Sequence, residues 1–331
     1  MSGLQVVILL AGLGTRLRPH TLTRPKPMLE VAGRPIVEHI VDELEGLPVD
    51  EIVFIYGHLK EQFEGWAAER CRFPYRFVEQ RELRGQAHAI SLVREHVDRP
   101  VLIIFGDTIF DADLAQLPSL DADGMLFVRE VEDPRRFGVA VLDGRGFVQR
   151  LVEKPKEPVS NLAVVGIYYV RDSSALFQAI DEVMASGKQL GGEYYLADAL
   201  QTMIEHGARF RTGETPVWAD CGTIEALLDT NAFLLANGHG QAPSQLGSES
   251  TVVPPVLVDP SATVERSTVG PNATIGPGAR VVGSTVRDSI VYRDARVEES
   301  QLHRSLIGVR AVAHGLRGRA NLSDYSEAHG R

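Results

Sequence analysis

Over the first two-thirds of the chain, short runs of β-branched and aliphatic residues alternate with longer stretches whose apolar positions recur three and four residues apart. Runs at 6–10, 51–56, 75–78, 101–105, 125–128 and 164–170 predict strands; stretches at 35–45, 59–70, 86–95, 173–186, 194–206 and 224–236 predict helices. This alternation predicts an α/β fold, a mostly parallel sheet with helices on both faces. Ligands in such sheets bind where strands end at their carboxyl edge. Two predicted strands run into small, polar loops of that kind, 6–10 into Gly12-Leu13-Gly14 and 101–105 into Gly106-Asp107.

The pattern changes near residue 237. The stretch NGHGQAPSQLGSES at 237–250 is rich in Gly, Ser, Gln and Pro, lacks periodicity and reads as a linker after an α/β domain at 1–236. A repeat follows it. Small residues stand two before an aliphatic at Ala262/Val264, Ser267/Val269, Ala273/Ile275, Ala279/Val281, Ser284/Val286 and onward to Ser305/Ile307. The aliphatics recur every five or six residues, a period that suits one flat side of a β-helix coil. The small residues let the chain turn, and Gly270-Pro271-Asn272 and Gly276-Pro277-Gly278 supply corner residues. A short left-handed β-helix of roughly three coils is therefore expected at 251–314, with a loosely held tail at 315–331.

Composition narrows the function. With 44% apolar residues and a net charge of −10, the chain is expected to be globular, and the absence of a basic stripe disfavours nucleic acid and anionic membranes as partners. Any phosphate chemistry must use local positive charge. Cys71 and Cys221 form neither a CxxC pair nor a metal-spaced cluster, which fits a reducing cytoplasm. The apolar run at 6–10 is too short for a membrane span, and no targeting segment is expected.

The opening loop carries the candidate chemistry. A glycine-rich turn after a strand presents backbone N–H groups to an anion, most often phosphate. The P-loop and the dinucleotide fingerprint are excluded, since there is no Gly-Lys-Ser/Thr and no third glycine at the required spacing. Arg16, Arg18 and Lys26 add the charge needed for a triphosphate.

Gly12-Leu13-Gly14-Thr15-Arg16-Leu17-Arg18-Pro19, then Pro25-Lys26-Pro27-Met28, then Gly33-Arg34-Pro35-Ile36, resembles the sugar-1-phosphate nucleotidyltransferases, or NDP-sugar pyrophosphorylases. Many members carry a further glycine where this chain has Ala11. The resemblance covers nearly the whole chain and is nearest to long-form glucose-1-phosphate thymidylyl- or uridylyltransferases with a short β-helix. It implies a Rossmann-like catalytic domain at 1–236 that binds a nucleoside triphosphate and a sugar 1-phosphate.

Carried over residue by residue, the resemblance assigns Gly12, Gly14, Thr15 and Arg16 to the triphosphate, Gln80 and the Gly85 backbone to the base, and Lys26 to the reacting phosphates. His88, in the same base-reading segment, is read as packing. Asp107 in Phe105-Gly106-Asp107 and Asp220 in Trp218-Ala219-Asp220-Cys221-Gly222-Thr223 would bind Mg2+, a hard cation that shares oxygen ligands with phosphates. Glu153-Lys154-Pro155 would hold the sugar phosphate, joined by Gly138, Asn161, Gly166, Glu193 and Trp218.

The implied reaction is in-line attack of a sugar phosphate oxygen on the α-phosphorus, with Arg16, Lys26 and Lys154 as the catalytic cations. dTTP or UTP and glucose 1-phosphate are the favoured substrates. A guanylyltransferase acting on mannose 1-phosphate and a non-catalytic nucleotide-sugar-binding homologue are the alternatives. The β-helix is expected to serve oligomerisation or regulation in a homo-oligomer, rather than to be a second, acyl-transferring enzyme.

Overall fold

The computed structural model describes residues 3–241 and 247–330, so part of the expected linker, 242–246, lies outside the described residues. The chain divides into two compact units, one of residues up to 12 with 38–218, the other of 13–37 with 219 onward.

The first unit is built on a nine-stranded sheet. Its strands are β1 (Leu4–Leu9), β2 (Val49–Tyr56), β3 (Tyr75–Glu79), β4 (Val101–Phe105), β5 (Gly124–Glu130), β6 (Gly138–Leu142), β7 (Val148–Glu153), β8 (Leu162–Val170) and β9 (Phe210–Glu214). The order is β7-β6-β8-β4-β1-β2-β3, with β5 beside β8 and β9 beside β5. The β3-β2-β1-β4 half is parallel, and β8 enters antiparallel to β4. Alternate residues of β2 face opposite sides. Val53 and Ile55 join a core with Ala87, Ala89, Leu176, Ile180 and Leu200, whereas Phe54 meets Trp66 edge-on at 5.9 Å. Helices α1 (Lys60–Arg70), α2 (Gln86–Ser91), α3 (Ser173–Ser186) and α4 (Leu196–Glu205) thus cover both faces, as the apolar spacing predicts.

The hairpin β6–β7 and strand β9 were not anticipated. Their alternation is short and half-polar, and the connection depends on an aspartate turn in which Asp143 Oδ1 accepts from Arg145 N at 2.8 Å and Phe147 N at 3.0 Å.

In the second unit, helix α5 (Ile224–Leu234) precedes three parallel five-stranded sheets, the triangular coil arrangement expected of a left-handed β-helix. Along one side Thr268 pairs with Thr285, Thr285 with Gln301, and Gln301 with Arg317. The inward aliphatics stack as expected, with Val264, Val281 and Val297 buried. The small corner residues do more than save space. Ser284 N donates to Ser267 Oγ, Ser300 N to Ser284 Oγ and Leu316 N to Ser300 Oγ, each at 3.0 Å, so each serine caps the next coil.

Two expectations are corrected. There are five coils rather than three, and 315–331 is no loose tail: Arg317–Gly318, Asn321–Leu322 and Glu327–His329 are strands of the fifth coil. That coil lacks the aliphatic repeat because its strand residues are largely polar, yet its backbone completes all three ladders.

Candidate active site

In the second unit the opening loop is shaped by close packing. Gly14, at φ 58°, adopts the left-handed conformation and starts a 3₁₀ turn over Thr15–Leu17 whose Leu17 is fully buried. A β-carbon on Gly14 would stand 3.0 Å from Thr21 Cγ2 and 3.1 Å from Lys26 Cβ, so only glycine fits comfortably. Thr21 Oγ1 donates to the Gly14 carbonyl at 2.8 Å and ties the turn to the segment before Lys26. Lys26 is buried, and its Nζ lies 3.9 Å from Asp220 Oδ1. A β-carbon on Gly222 would lie 2.8 Å from both Arg16 Nη2 and Asp220 Oδ1, which places guanidinium and carboxylate together over that glycine. Thr223 caps α5 by accepting from Ala226 N at 3.1 Å and fixes the turn that carries Asp220. Arg16, Lys26 and Asp220, far apart in sequence, therefore gather in one unit; Thr15 is exposed beside them.

The remaining predicted residues belong to the first unit. Gly12 ends the first unit's opening segment in open space, with nothing within 4 Å of an added β-carbon. Gly106 N donates to Leu9 O at 2.9 Å, and a β-carbon there would meet the same carbonyl at 2.7 Å, so the glycine before Asp107 permits a close approach to β1. Thr108 Oγ1 reaches Asp107 Oδ1 at 3.5 Å.

Gln80 and Gly85 meet directly. The buried Gln80 side chain donates from Nε2 to Gly85 O at 3.1 Å and lies 3.2 Å from His88 Nδ1. His88, expected only to pack, is thus also a polar partner of the Gln80 amide. Burial, reinforced by Arg84, holds its pKa below the usual imidazole value. Gly85 has φ 97°, and an added β-carbon would stand 2.5 Å from Tyr194 O. Ala87 N donates to Tyr194 O at 3.0 Å and Tyr194 N to Arg84 O at 2.8 Å, which stitches this segment to the one bearing Glu193.

At the end of β7, Lys154 has φ 44° and donates from Nζ to Tyr195 Oη at 2.9 Å, with Glu153 Oε1 at 3.8 Å. Burial works to lower the Lys154 pKa, but the Tyr195 hydroxyl and Glu153 outweigh it, and the net direction is up. Burial raises the Glu153 carboxyl above the ordinary range, opposed by Lys154. Gly138 pairs with Glu153 across β6–β7, and its missing side chain makes room for Glu153 Oε2. Gly166, at φ 86°, sits where the β8–β5 register shifts, against the Phe105 ring. Exposed Glu193 acts electrostatically on both Glu153 and Lys154. Asn161 turns elsewhere, its Nδ2 donating to Glu130. Trp218 packs edge-on against Phe137 at 4.9 Å, and its buried Nε1 has no hydrogen-bond partner among the described residues. Tyr195 escaped the sequence reading because a Tyr-Tyr pair at a helix start reads as core.

Among the described residues no helix is long and apolar enough to cross a membrane. The sequence model of the Nucleotidyl transferase family matches residues 5–237. The chain is similar to Bifunctional protein GlmU of Methanocaldococcus jannaschii, with 36% identity over 70% of this chain and 54% of that protein. It is also similar to UTP--glucose-1-phosphate uridylyltransferase AglF of Haloferax volcanii, with 36% identity over 62% of this chain and 85% of that protein. It thus spans little more than half the length of the GlmU relative. A solved structure of a putative glucose-1-phosphate thymidylyltransferase from Bacillus anthracis, in complex with a sucrose, superposes with TM-score 0.63 at 29% identity, over 70% of this chain and 95% of that one. The chain belongs to the nucleotidyl transferase family, among sugar-1-phosphate nucleotidyltransferase homologues.

Proposed function

We propose that the protein condenses dTTP or UTP with a hexose 1-phosphate, glucose 1-phosphate first, to give a nucleotide sugar and pyrophosphate. The observation that carries this reading is the gathering of Arg16, Lys26 and Asp220 around a glycine-shaped turn. Two cations there suit a polyanion whose charge shifts towards the leaving pyrophosphate. Lys154, held by Tyr195 and Glu153, suits the phosphate of the sugar, whose oxygen attacks the α-phosphorus without a general base, being ionised already near neutral pH. Similarity to a UTP--glucose-1-phosphate uridylyltransferase and a putative glucose-1-phosphate thymidylyltransferase supports the choice of substrates. With Nε2 of Gln80 engaged by Gly85 and His88, its Oε1 is left to accept from the ring N–H that thymine and uracil share.

Magnesium fits the donors by their chemistry. The carboxylates of Asp107 and Asp220 are hard oxygen donors of the kind the cation takes alongside water and phosphate. The ion would neutralise phosphate charge. The same reading takes the enzyme to work in the cytoplasm, as a homo-oligomer.

Pyrophosphate release measured with magnesium across dTTP, UTP, GTP, ATP and CTP, against glucose, mannose, galactose and N-acetylglucosamine 1-phosphates, tests the reading. Release with dTTP or UTP and glucose 1-phosphate is expected, and Arg16→Ala or Lys26→Ala should lower turnover by about a hundredfold or more. Silence across the whole matrix from folded protein that still binds nucleotide would defeat the reading.

A further inference from the structure

The second unit joins the opening loop to the β-helix through a set of contacts that the proposed reaction does not use. Asp324, on the fifth coil, accepts from Thr23 Oγ1 at 3.1 Å and faces Arg24 Nη2 at 3.5 Å. Both charged side chains are largely covered, at 14% and 10% exposure, so solvent screens the pair less than it would on the surface. The other carboxylate oxygen of Asp324 accepts from Val309 N at 2.8 Å, which fixes the carboxylate to the coil below. Arg24 also lies over the Tyr292 ring at 5.2 Å, and Tyr292, itself buried, donates to Glu30 O at 3.2 Å. From this anchor the path to the phosphate-gripping turn is short. Thr21, two residues before Thr23, donates to Gly14 O, and Gly14 packs against Lys26, two residues after Arg24.

We propose that Asp324 is a positioning residue for nucleotide binding: the last coil of the β-helix holds Thr23 and Arg24, and through them sets the turn that presents Gly14, Arg16 and Lys26. This rests on the reading of that turn as the triphosphate grip. It gives the β-helix a role inside the transferase reaction itself, distinct from oligomerisation. A carboxylate held from below, and shared between a hydroxyl and a guanidinium, restricts the 20–24 segment without touching the nucleotide. Its loss should weaken nucleotide binding more than turnover.

The test uses the full chain with Mg2+ and UTP or dTTP. Asp324→Asn keeps an acceptor for Val309 N and removes the charge. It should raise KM for the triphosphate about tenfold while kcat and KM for the sugar 1-phosphate stay within about twofold. Calorimetric binding of the triphosphate alone should weaken by the same factor. Thr23→Val, altered on the loop side only, should move the same constant in the same direction, and serves if Asp324→Asn does not fold. In an Arg24→Ala background, Asp324→Asn should add less than about twofold, because the two residues act as one unit. An Asp324→Asn enzyme with wild-type triphosphate affinity, or one whose two KM values rise equally as its melting temperature falls, overturns the proposal. Arg16→Ala separates the levels: retained triphosphate affinity there sinks the grip reading, whereas its loss beside an unaffected Asp324→Asn sinks the positioning role alone.

Discussion

At the scale of single residues, the chemistry lies in side chains whose partners set their charge. Lys154 was singled out from Glu153-Lys154-Pro155, but its hydrogen bond to Tyr195 Oη at 2.9 Å reaches a segment 41 residues on. No local pattern signals such a pairing, since it depends on how the turn before α4 meets the end of β7. The contact of His88 with Gln80 is hidden from the sequence for the same reason. Tyr195→Phe keeps the ring under the ammonium and deletes the acceptor. Losing a hydrogen bond to a partly exposed charge should cost about 1 kcal/mol, read as a roughly fivefold rise in KM for the sugar 1-phosphate. The hydroxyl helps to hold the Lys154 pKa up, so its removal favours the neutral amine. The alkaline limb of kcat/KM should therefore move to lower pH in Tyr195→Phe. An unmoved limb with unchanged KM would mean that the tyrosine only packs.

At the scale of elements, periodicity located the parallel half of the sheet and the covering helices because each buries one continuous apolar face. The five-coil β-helix was read two coils short, since 251–314 holds four coils rather than three and the fifth lies in 315–331. Inward aliphatics mark coils that stack on both sides, and the end coil, with Arg317, Asn321 and Glu327 at its strand starts, has only one neighbour to stack on. The serine ladder shows what the small-residue pattern encoded beyond size. Ser284 is buried and takes the N–H of Ser300 at 3.0 Å while donating to Val282 O at 2.8 Å. Ser284→Ala leaves the Ser300 N–H without that partner inside the coil, and a buried donor so stranded costs about 1–3 kcal/mol. The melting temperature should fall by a few degrees, about 2–4 °C for each 1 kcal/mol in a domain of ordinary size. Ser284→Thr, which retains the acceptor, should lose less if the ladder matters, and an equal loss in both variants would point to steric crowding instead.

At the scale of the whole molecule, the sequence divides at a polar linker, whereas the compact units divide elsewhere: residues 13–37 belong with 219 onward. Contacts such as Tyr292 with Glu30, 262 residues apart, decide that grouping and leave no trace in composition. One consequence is a titratable group sealed inside the second unit. His20 is 1% exposed, neither ring nitrogen has a hydrogen-bond partner among the described residues, and burial lowers its pKa to about 4, with Asp324 pulling upward and Arg24 pushing further down. Above pH 6.5 the ring is mostly neutral whether the chain is folded or unfolded, and stability is indifferent to it. As pH falls from 6.5 towards about 4, the unfolded chain binds a proton that the folded chain refuses, so stability declines, by about 3 kcal/mol once both pKa values are passed. His20→Phe fills the same space without a proton to bind and should flatten that acid limb. Urea denaturation of both proteins at pH 7 and pH 4.5 measures the difference. The wild type should lose more stability on acidification than the variant, whereas parallel losses would show that groups other than His20 govern the acid response.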